Sequence, residues 1–466
     1  MNYNLIQNNN DISIQVEKEY DLIIRKNNAD ITICKRKNNS CYCDINNANY
    51  SYSLNGQISA VDVNHSLANI RHIGFEITDS CNLDCVYCIY GKFYHNHDVR
   101  SNKKIDPKKA KLLIDYLVDK LDSSANISPK NEVFISFYGG EPLLNMKFIK
   151  DIVDYTQKIQ NSHVLFKYMI TTNAIYLKKH LDFIIKYSFI VTVSLDGSEK
   201  NDAYRNFQNG NPSFKIVYDT LKYIQKYHYD YFDSCLQINS VIHNLNNQQE
   251  IFSFIYHEFG KIPNFSMLNY TGVRSSMIND FNIMAHPKLE KMDNNINEEM
   301  NKILDLESND IKKLQSFVFH YSGNVYENYN DLLINKGGVE HLPTSTCLPF
   351  SRRIFMTVNN KILPCERIGH EFALGEIENS RVNIDLENIA FKYNNYYNSI
   401  KSLCANCFYK MHCLMCMFDI SNIGENPICE RMADKQKFKE YLNDSMRILA
   451  KRSELYKRIM NEIILV

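Results

Sequence analysis

Ile77-Thr78-Asp79-Ser80-Cys81-Asn82-Leu83-Asp84-Cys85-Val86-Tyr87-Cys88 is the run that decides how this chain is read. It sets three cysteines at CxxxCxxC spacing on one short loop, directly after an apolar stretch, His72–Thr78, that reads as a β-strand. Three thiolates so placed can hold three corners of a four-iron cluster and leave the fourth iron open. Open metal positions are where chemistry occurs, while closed ones are usually structural. The same spacing also suits a zinc ion completed by a distant fourth ligand, or reduced core thiols, although zinc sites more often pair CxxC with a second CxxC or with histidines.

Outward from this loop, short β-branched runs alternate with amphipathic stretches. Strands are expected at Val133–Tyr138, Leu165–Thr171, Ile190–Leu195, Leu236–Ile242 and Phe265–Leu268. Helices are expected at Asp106–Leu121, Met146–Ile159, about Leu177–Tyr187, Phe214–Tyr227 and Gln248–Glu258. Six strands alternating with helices imply a parallel sheet with right-handed crossovers, with function at the strand C-terminal ends. Candidate site residues sit at such ends. Gly139 and Gly140 let backbone approach a ligand closely, and Glu141 can accept from an ammonium group. Asn173 and Ser194 close the third and fourth strands with short polar side chains, and Arg205 follows in Asp202-Ala203-Tyr204-Arg205. Strand-end polar residues also serve as ordinary turn formers.

On the cysteine triad, the aromatic Tyr87 before its third member and the Gly139-Gly140-Glu141 motif one strand later, residues from about 71 to 270 resemble the radical SAM superfamily. The resemblance implies an α/β fold, a partial (β/α)6 TIM-like barrel open on one side. It implies a [4Fe–4S] cluster on Cys81, Cys85 and Cys88 whose open iron takes the amino and carboxyl groups of S-adenosyl-L-methionine (SAM), which is cleaved to methionine and a 5′-deoxyadenosyl radical. Tyr87, Gly139, Gly140, Glu141, Asn173, Ser194 and Arg205 are the implied cofactor contacts.

A second array follows. Cys347 and Cys365 frame a hairpin-like run, and Cys404, Cys407, Cys413, Cys416 and Cys429 complete it. These seven cysteines resemble the SPASM extension of peptide-modifying radical SAM enzymes. That pattern implies two auxiliary [4Fe–4S] clusters, one on Cys347, Cys365 and Cys416 and one on Cys404, Cys407, Cys413 and Cys429. Asn360 stands where the pattern has glycine, and Asn tolerates the left-handed conformation such a turn needs. Glu366 directly follows Cys365; it is a candidate base or a surface carboxylate.

The chain has 466 residues, more than one core usually serves, and divides by composition into five parts. These are a β-rich region of unknown role over 1–70, the barrel over 71–270, a helical bridge over 271–346, the cysteine-rich domain over 347–432 and a charged helix over 433–466. Lys plus Arg equals Asp plus Glu, so no long-range field draws nucleic acid. No signal peptide or bilayer-spanning stretch is visible. Fourteen cysteines without an export signal argue for metal ligation in a reducing cytoplasm.

The expected function is peptide maturation: hydrogen abstraction from a ribosomal precursor peptide, forming a thioether or carbon–carbon crosslink, with a low-potential donor such as ferredoxin or flavodoxin. The alternatives are formylglycine generation in sulfatases, which Glu366 in place of aspartate argues against, and a non-catalytic iron–sulfur electron carrier, which leaves Glu141 without a purpose.

Overall fold

A computed structural model describes residues 5–7, 11–16, 20–25, 31–35, 54–128, 131–160, 163–287, 341–410 and 413–451, with helical positions at 314, 315, 318, 455 and 459. Two compact units divide the chain. One contains Met1–Gln57, Asn297–Thr346 and Asn394–Val466; the other contains Ile58–Ile296 and Cys347–Tyr393.

In the first unit, β1 (Leu5–Gln7), β2 (Asp11–Val16), β3 (Tyr20–Arg25) and β4 (Ile31–Lys35) form an antiparallel four-stranded meander. The periodic methionines and isoleucines of the expected bridge, Met292 to Ile303, lie outside the described residues.

The second unit holds the barrel. Its parallel strands are β5 (His72–Thr78), β6 (Asn131–Gly139), β7 (Val164–Thr172), β8 (Ile190–Ser194), β9 (Leu236–Ile242) and β10 (Asn264–Met267). They lie side by side in chain order, the winding of a barrel rather than of a doubly wound sheet. Helices α1 (Ala60–Ala68), α2 (Pro107–Leu121), α3 (Met146–Ile159), α4 (Leu181–Lys186), α5 (Phe214–Tyr227), α6 (Tyr229–Cys235), α7 (Gln248–Phe259) and α8 (Ile278–Ala285) complete this stretch. α2 starts where its sequence says it should: Asp106 caps Lys108 N–H at 2.9 Å and Pro107 fills the first helical position.

Alternation decides which face is which. Val133, Ile135 and Phe137 of β6 are buried, and Phe137 and Phe75 both pack edge-on against Phe148 of α3. Phe134, Ser136 and Tyr138 on the opposite face are half-buried. The same alternation runs through β7, β8 and β9, leaving Met169, Thr171, Thr192, Ser194, Asn239 and Val241 on that second face. One face is therefore a helix-covered core; the other is a polar, partly open lumen.

The sheet does not stop at β5. β11 (Ile354–Met356) pairs with β5 in parallel, Phe355 opposite Gly74, and β12 (Lys361–Leu363), β13 (Gly375–Glu378) and β14 (Arg381–Ile384) continue it antiparallel to a total of ten strands. The β11–β12 turn contains Asn360 at φ +65°, the left-handed conformation expected for it, with its N–H bonded to Thr357 O at 2.9 Å. Beyond β14, α9 (Leu386–Ala405) runs for 20 residues, and α10 (Lys435–Lys451) lies near the chain end. Among the described residues no helix is long and apolar enough to cross a membrane.

Candidate active site

Cys81, Cys85 and Cys88 follow the C-terminal end of β5. Cys88 N–H bonds to Cys85 O at 3.0 Å and Gly91 N–H to Cys88 O at 2.7 Å, which winds the loop into successive turns. Each sulfur has a donor. Cys81 Sγ accepts from Leu83 N–H at 3.4 Å and from Asn173 Nδ2 at 3.9 Å. Cys85 Sγ lies 4.0 Å from Arg205 Nη1, and Cys88 Sγ accepts from Arg100 Nη2 at 3.2 Å. Burial pushes the Cys81 thiol up to about 11 and the Cys85 thiol up to about 12; the neighbouring cysteines push both the same way, and a guanidinium opposes at each. Sulfurs that crowd one another, each with an N–H aimed at it, suit thiolate ligands, whose charge such donors offset. Among the described residues no three His, Cys, Asp or Glu side chains converge on a single-ion site; a four-iron cube takes each thiolate on a separate iron.

The glycine pair acts on this loop. A Cβ at Gly139 would stand 2.2 Å from Thr78 O, and one at Gly140 would stand 2.1 Å from Ser80 O, so only glycine lets β6 end against the residues that introduce Cys81. Gly140 N–H bonds to Thr78 O and Glu141 N–H to Ser80 O, both at 2.8 Å. Glu141 is fully buried. Its Oε1 accepts from Thr172 Oγ1 at 2.7 Å and Leu143 N–H at 3.0 Å, and its Oε2 from Asn173 N–H at 2.8 Å. Burial pushes its carboxyl up to about 7 against these three bonds. The residue clamps the end of β6 to the end of β7, and so holds Asn173 over Cys81.

A buried network that the sequence did not disclose lies across the loop. Tyr87 O–H donates to Asp196, and its ring stacks on His243 at 5.8 Å. Arg205 Nε lies 3.2 Å from Asp196 Oδ2 and 3.6 Å from Asp202 Oδ1, with its guanidinium 5.4 Å from the Tyr87 ring centre. Burial raises the Asp196 carboxyl, but Arg205, His243, Tyr87 and the Val241 N–H together hold it below the ordinary range; burial and Asp196 push the Asp202 carboxyl up, and Arg205 opposes. The signal was the Asp196-Gly197 turn after β8, whose charge Arg205 nine residues on can satisfy. Ser194 ends β8 two residues before this network.

Glu366 lies beside Cys365. Its Oε1 takes Arg353 Nη1 at 2.7 Å, and its Oε2 lies 3.7 Å from Cys365 Sγ. Burial raises this carboxyl, but Arg353, a backbone N–H and Arg367 together hold it below the ordinary range, so Glu366 stays ionised. Its charge also reaches Tyr138 in the lumen.

In the other unit, burial pushes the Cys404 thiol up to about 12, and Cys413, Cys407 and Cys429 add to that rise. Those four cysteines are therefore neighbours, an all-thiol set suited to an iron–sulfur cluster, which takes each thiolate on a separate iron. Cys347 and Cys365 belong to the barrel unit and Cys416 to this one.

Residues 75–255 match the family model described as the radical SAM superfamily. That segment, with its triad at the end of the strand, is a radical SAM domain on a radical SAM α/β fold. An uncharacterized protein of Methanocaldococcus jannaschii is 40% identical over 154 residues, 33% of this chain and 47% of that one. The radical SAM cyclopropyl synthase TigE of Paramaledivibacter caminithermalis is 26% identical over 246 residues, 51% of this chain and 46% of that one. The chain thus spans about half the length of the curated relatives it matches. Among solved structures, native anSMEcpe with bound AdoMet and Kp18Cys peptide superimposes with a TM-score of 0.52 at 14% identity, covering 84% of this chain and 99% of that one. The likeness to it is one of fold.

Proposed function

We propose that this chain is a radical SAM/SPASM peptide maturase acting on a ribosomal precursor peptide. The observation that carries the reading is the cysteine triad, each sulfur supplied with a donor, at the rim of a polar lumen that is half-open along β6 to β9. Cys81, Cys85 and Cys88 would hold a four-iron cluster, which with SAM would supply one-electron radical chemistry. The chain's own residues do the rest. Glu141 and Asn173 shape the SAM side of the triad, and Tyr87 and Arg205 wall its other side. Ser136, Thr171, Thr192 and Asn239, one on each of β6 to β9, put polar side chains on the half-buried face of the sheet, where they could bond a peptide backbone.

Cys404, Cys407, Cys413 and Cys429 are proposed as ligands of one auxiliary cluster, and Cys347 and Cys365, in the barrel unit, as ligands of another. The fold shared with a peptide-bound structure supports a peptide substrate, and the kinship to TigE adds ring closure to the crosslinks in view. Glu366, ionised against Arg353, is better suited to fixing a cationic or amide group of that peptide than to accepting a proton.

The test is anaerobic incubation of the reconstituted chain with SAM, reductant and a cysteine-containing candidate precursor peptide. A peptide lighter by two hydrogens, with matching 5′-deoxyadenosine, is the expected result. A peptide of unchanged mass despite 5′-deoxyadenosine release overturns crosslinking, and a carbonyl on the peptide points instead to formylglycine generation.

A further inference from the structure

Two guanidiniums reach the triad, and they differ in one respect. Arg205, near Cys85, is matched by the carboxyls of Asp196 and Asp202, so little of its charge is left over. Arg100, on Cys88, has no carboxylate partner among the described residues. Its Nη2 lies 3.2 Å from Cys88 Sγ, its guanidinium carbon lies 4.7 Å from the Tyr90 ring centre, and its Nε is buried with no acceptor.

The segment that carries Arg100 is fixed on both sides. On one side the Asp98 carboxylate is held by Lys361 Nζ at 2.8 Å and Asn359 Nδ2 at 2.7 Å, and the Asp98 N–H donates to His370 Nδ1 at 3.1 Å. On the other side Ser101 N–H bonds to Asp79 Oδ2 at 2.8 Å, and Lys104 bridges to Thr78. Tyr90 is anchored from below through its hydrogen bond to the buried Glu76, which also accepts from Val358 N–H at 3.0 Å. Pinning of this kind holds a positive charge on a sulfur at no further entropic cost.

From this we infer that Arg100 sets the reduction potential of the cluster on Cys81, Cys85 and Cys88. The inference rests on the proposed cluster. Reduction adds one electron, and so one negative charge, to a group that Arg100 touches through Cys88 Sγ. A fixed, unmatched cation there favours the reduced form and raises the potential, as hydrogen bonds to ligand sulfurs do. Arg100 touches the ligand rather than substrate, and Nε remains free for a second acceptor.

The experiment is a dithionite redox titration of the reconstituted full chain, followed by EPR and visible absorption, on wild type, Arg100→Gln and Arg100→Lys, with iron and sulfide measured on each. The expected result is equal iron and sulfide in all three, and a lower potential in Arg100→Gln. At fixed poise its ratio of reduced to oxidised cluster falls about tenfold, about 59 mV for one electron. Arg100→Lys, which keeps the charge, lies between. If Arg100→Gln loses iron but Arg100→Lys keeps it at a potential below wild type, the inference also stands. Unchanged potentials with full clusters overturn it while leaving the site assignment intact. Loss of iron from both variants makes Arg100 a structural residue and overturns it too. Wild type without iron or sulfide removes the cluster, and the inference with it.

Discussion

Asp196 receives Tyr87, Arg205 and the Val241 N–H at one buried carboxylate, so removing its charge isolates a guanidinium. Asp196→Asn leaves Arg205 facing only Asp202. Breaking a buried pair in this way costs about 3–5 kcal/mol. The expected outcome is a fall of that size in urea unfolding under anaerobic conditions; a variant as stable as wild type would remove the network from the architecture of the site. A second residue gives a pH signature. His72 opens β5 with Nε2 buried and unpartnered. Burial lowers its pKa to about 4, Arg353 adds to this, and Glu366 opposes it. The folded chain therefore refuses a proton that the unfolded chain takes at about 6.5. Stability should be level above that pH and fall as pH drops from about 6.5 to about 4. His72→Gln should flatten this stretch of the unfolding midpoint against pH, and an unchanged slope would assign the loss to other groups.

At the scale of elements, strands and helices of the barrel were legible because alternation and 3.6-residue spacing are strong where one face meets a helix layer. β5 to β9 and α2, α3, α5 and α7 fall within a few residues of their expected bounds. Shorter elements were not legible. α1 carries a capping box, Ser59 with Asp62, that went unread. α9 buries Ile389, Tyr393, Tyr397, Ile400 and Cys404, a helical spacing hidden among asparagines and paired tyrosines that read as irregular chain. The long-range pairing of β11 with β5 has no local signature at all. The site divided likewise: the triad and the glycines announce themselves by spacing, whereas Arg100 matters only through folding. The β11–β12 hairpin offers a direct test of local reading. Asn360→Gly should hold stability near wild type, while Asn360→Val should cost about 1–2 kcal/mol, because a branched side chain resists positive φ. Thermal midpoints of the two variants check this.

At the scale of the whole molecule, the proposed cofactor load can be counted. Three cubes require about 12 iron and about 12 sulfide per chain. Cys85→Ala and Cys407→Ser should each lose about four iron, Cys85→Ala abolishing SAM-dependent 5′-deoxyadenosine release. An equal loss in both variants shows independent clusters; loss of every cluster in Cys407→Ser would show that the cysteine-rich chain folds only as a unit with its metal.

The join between β5 and β11 bears on where this polypeptide tolerates cutting. With β11 in place, the side of β5 turned away from β6 is occupied along Ile73, Gly74 and Phe75. A version ending before residue 347 would retain every cysteine of the triad, yet expose a bare row of amides and carbonyls on the strand that feeds them. Such borders recruit other chains. The shortened protein would therefore be lost to self-association before its chemistry could be judged, and a minimal catalytic fragment has to extend through β14.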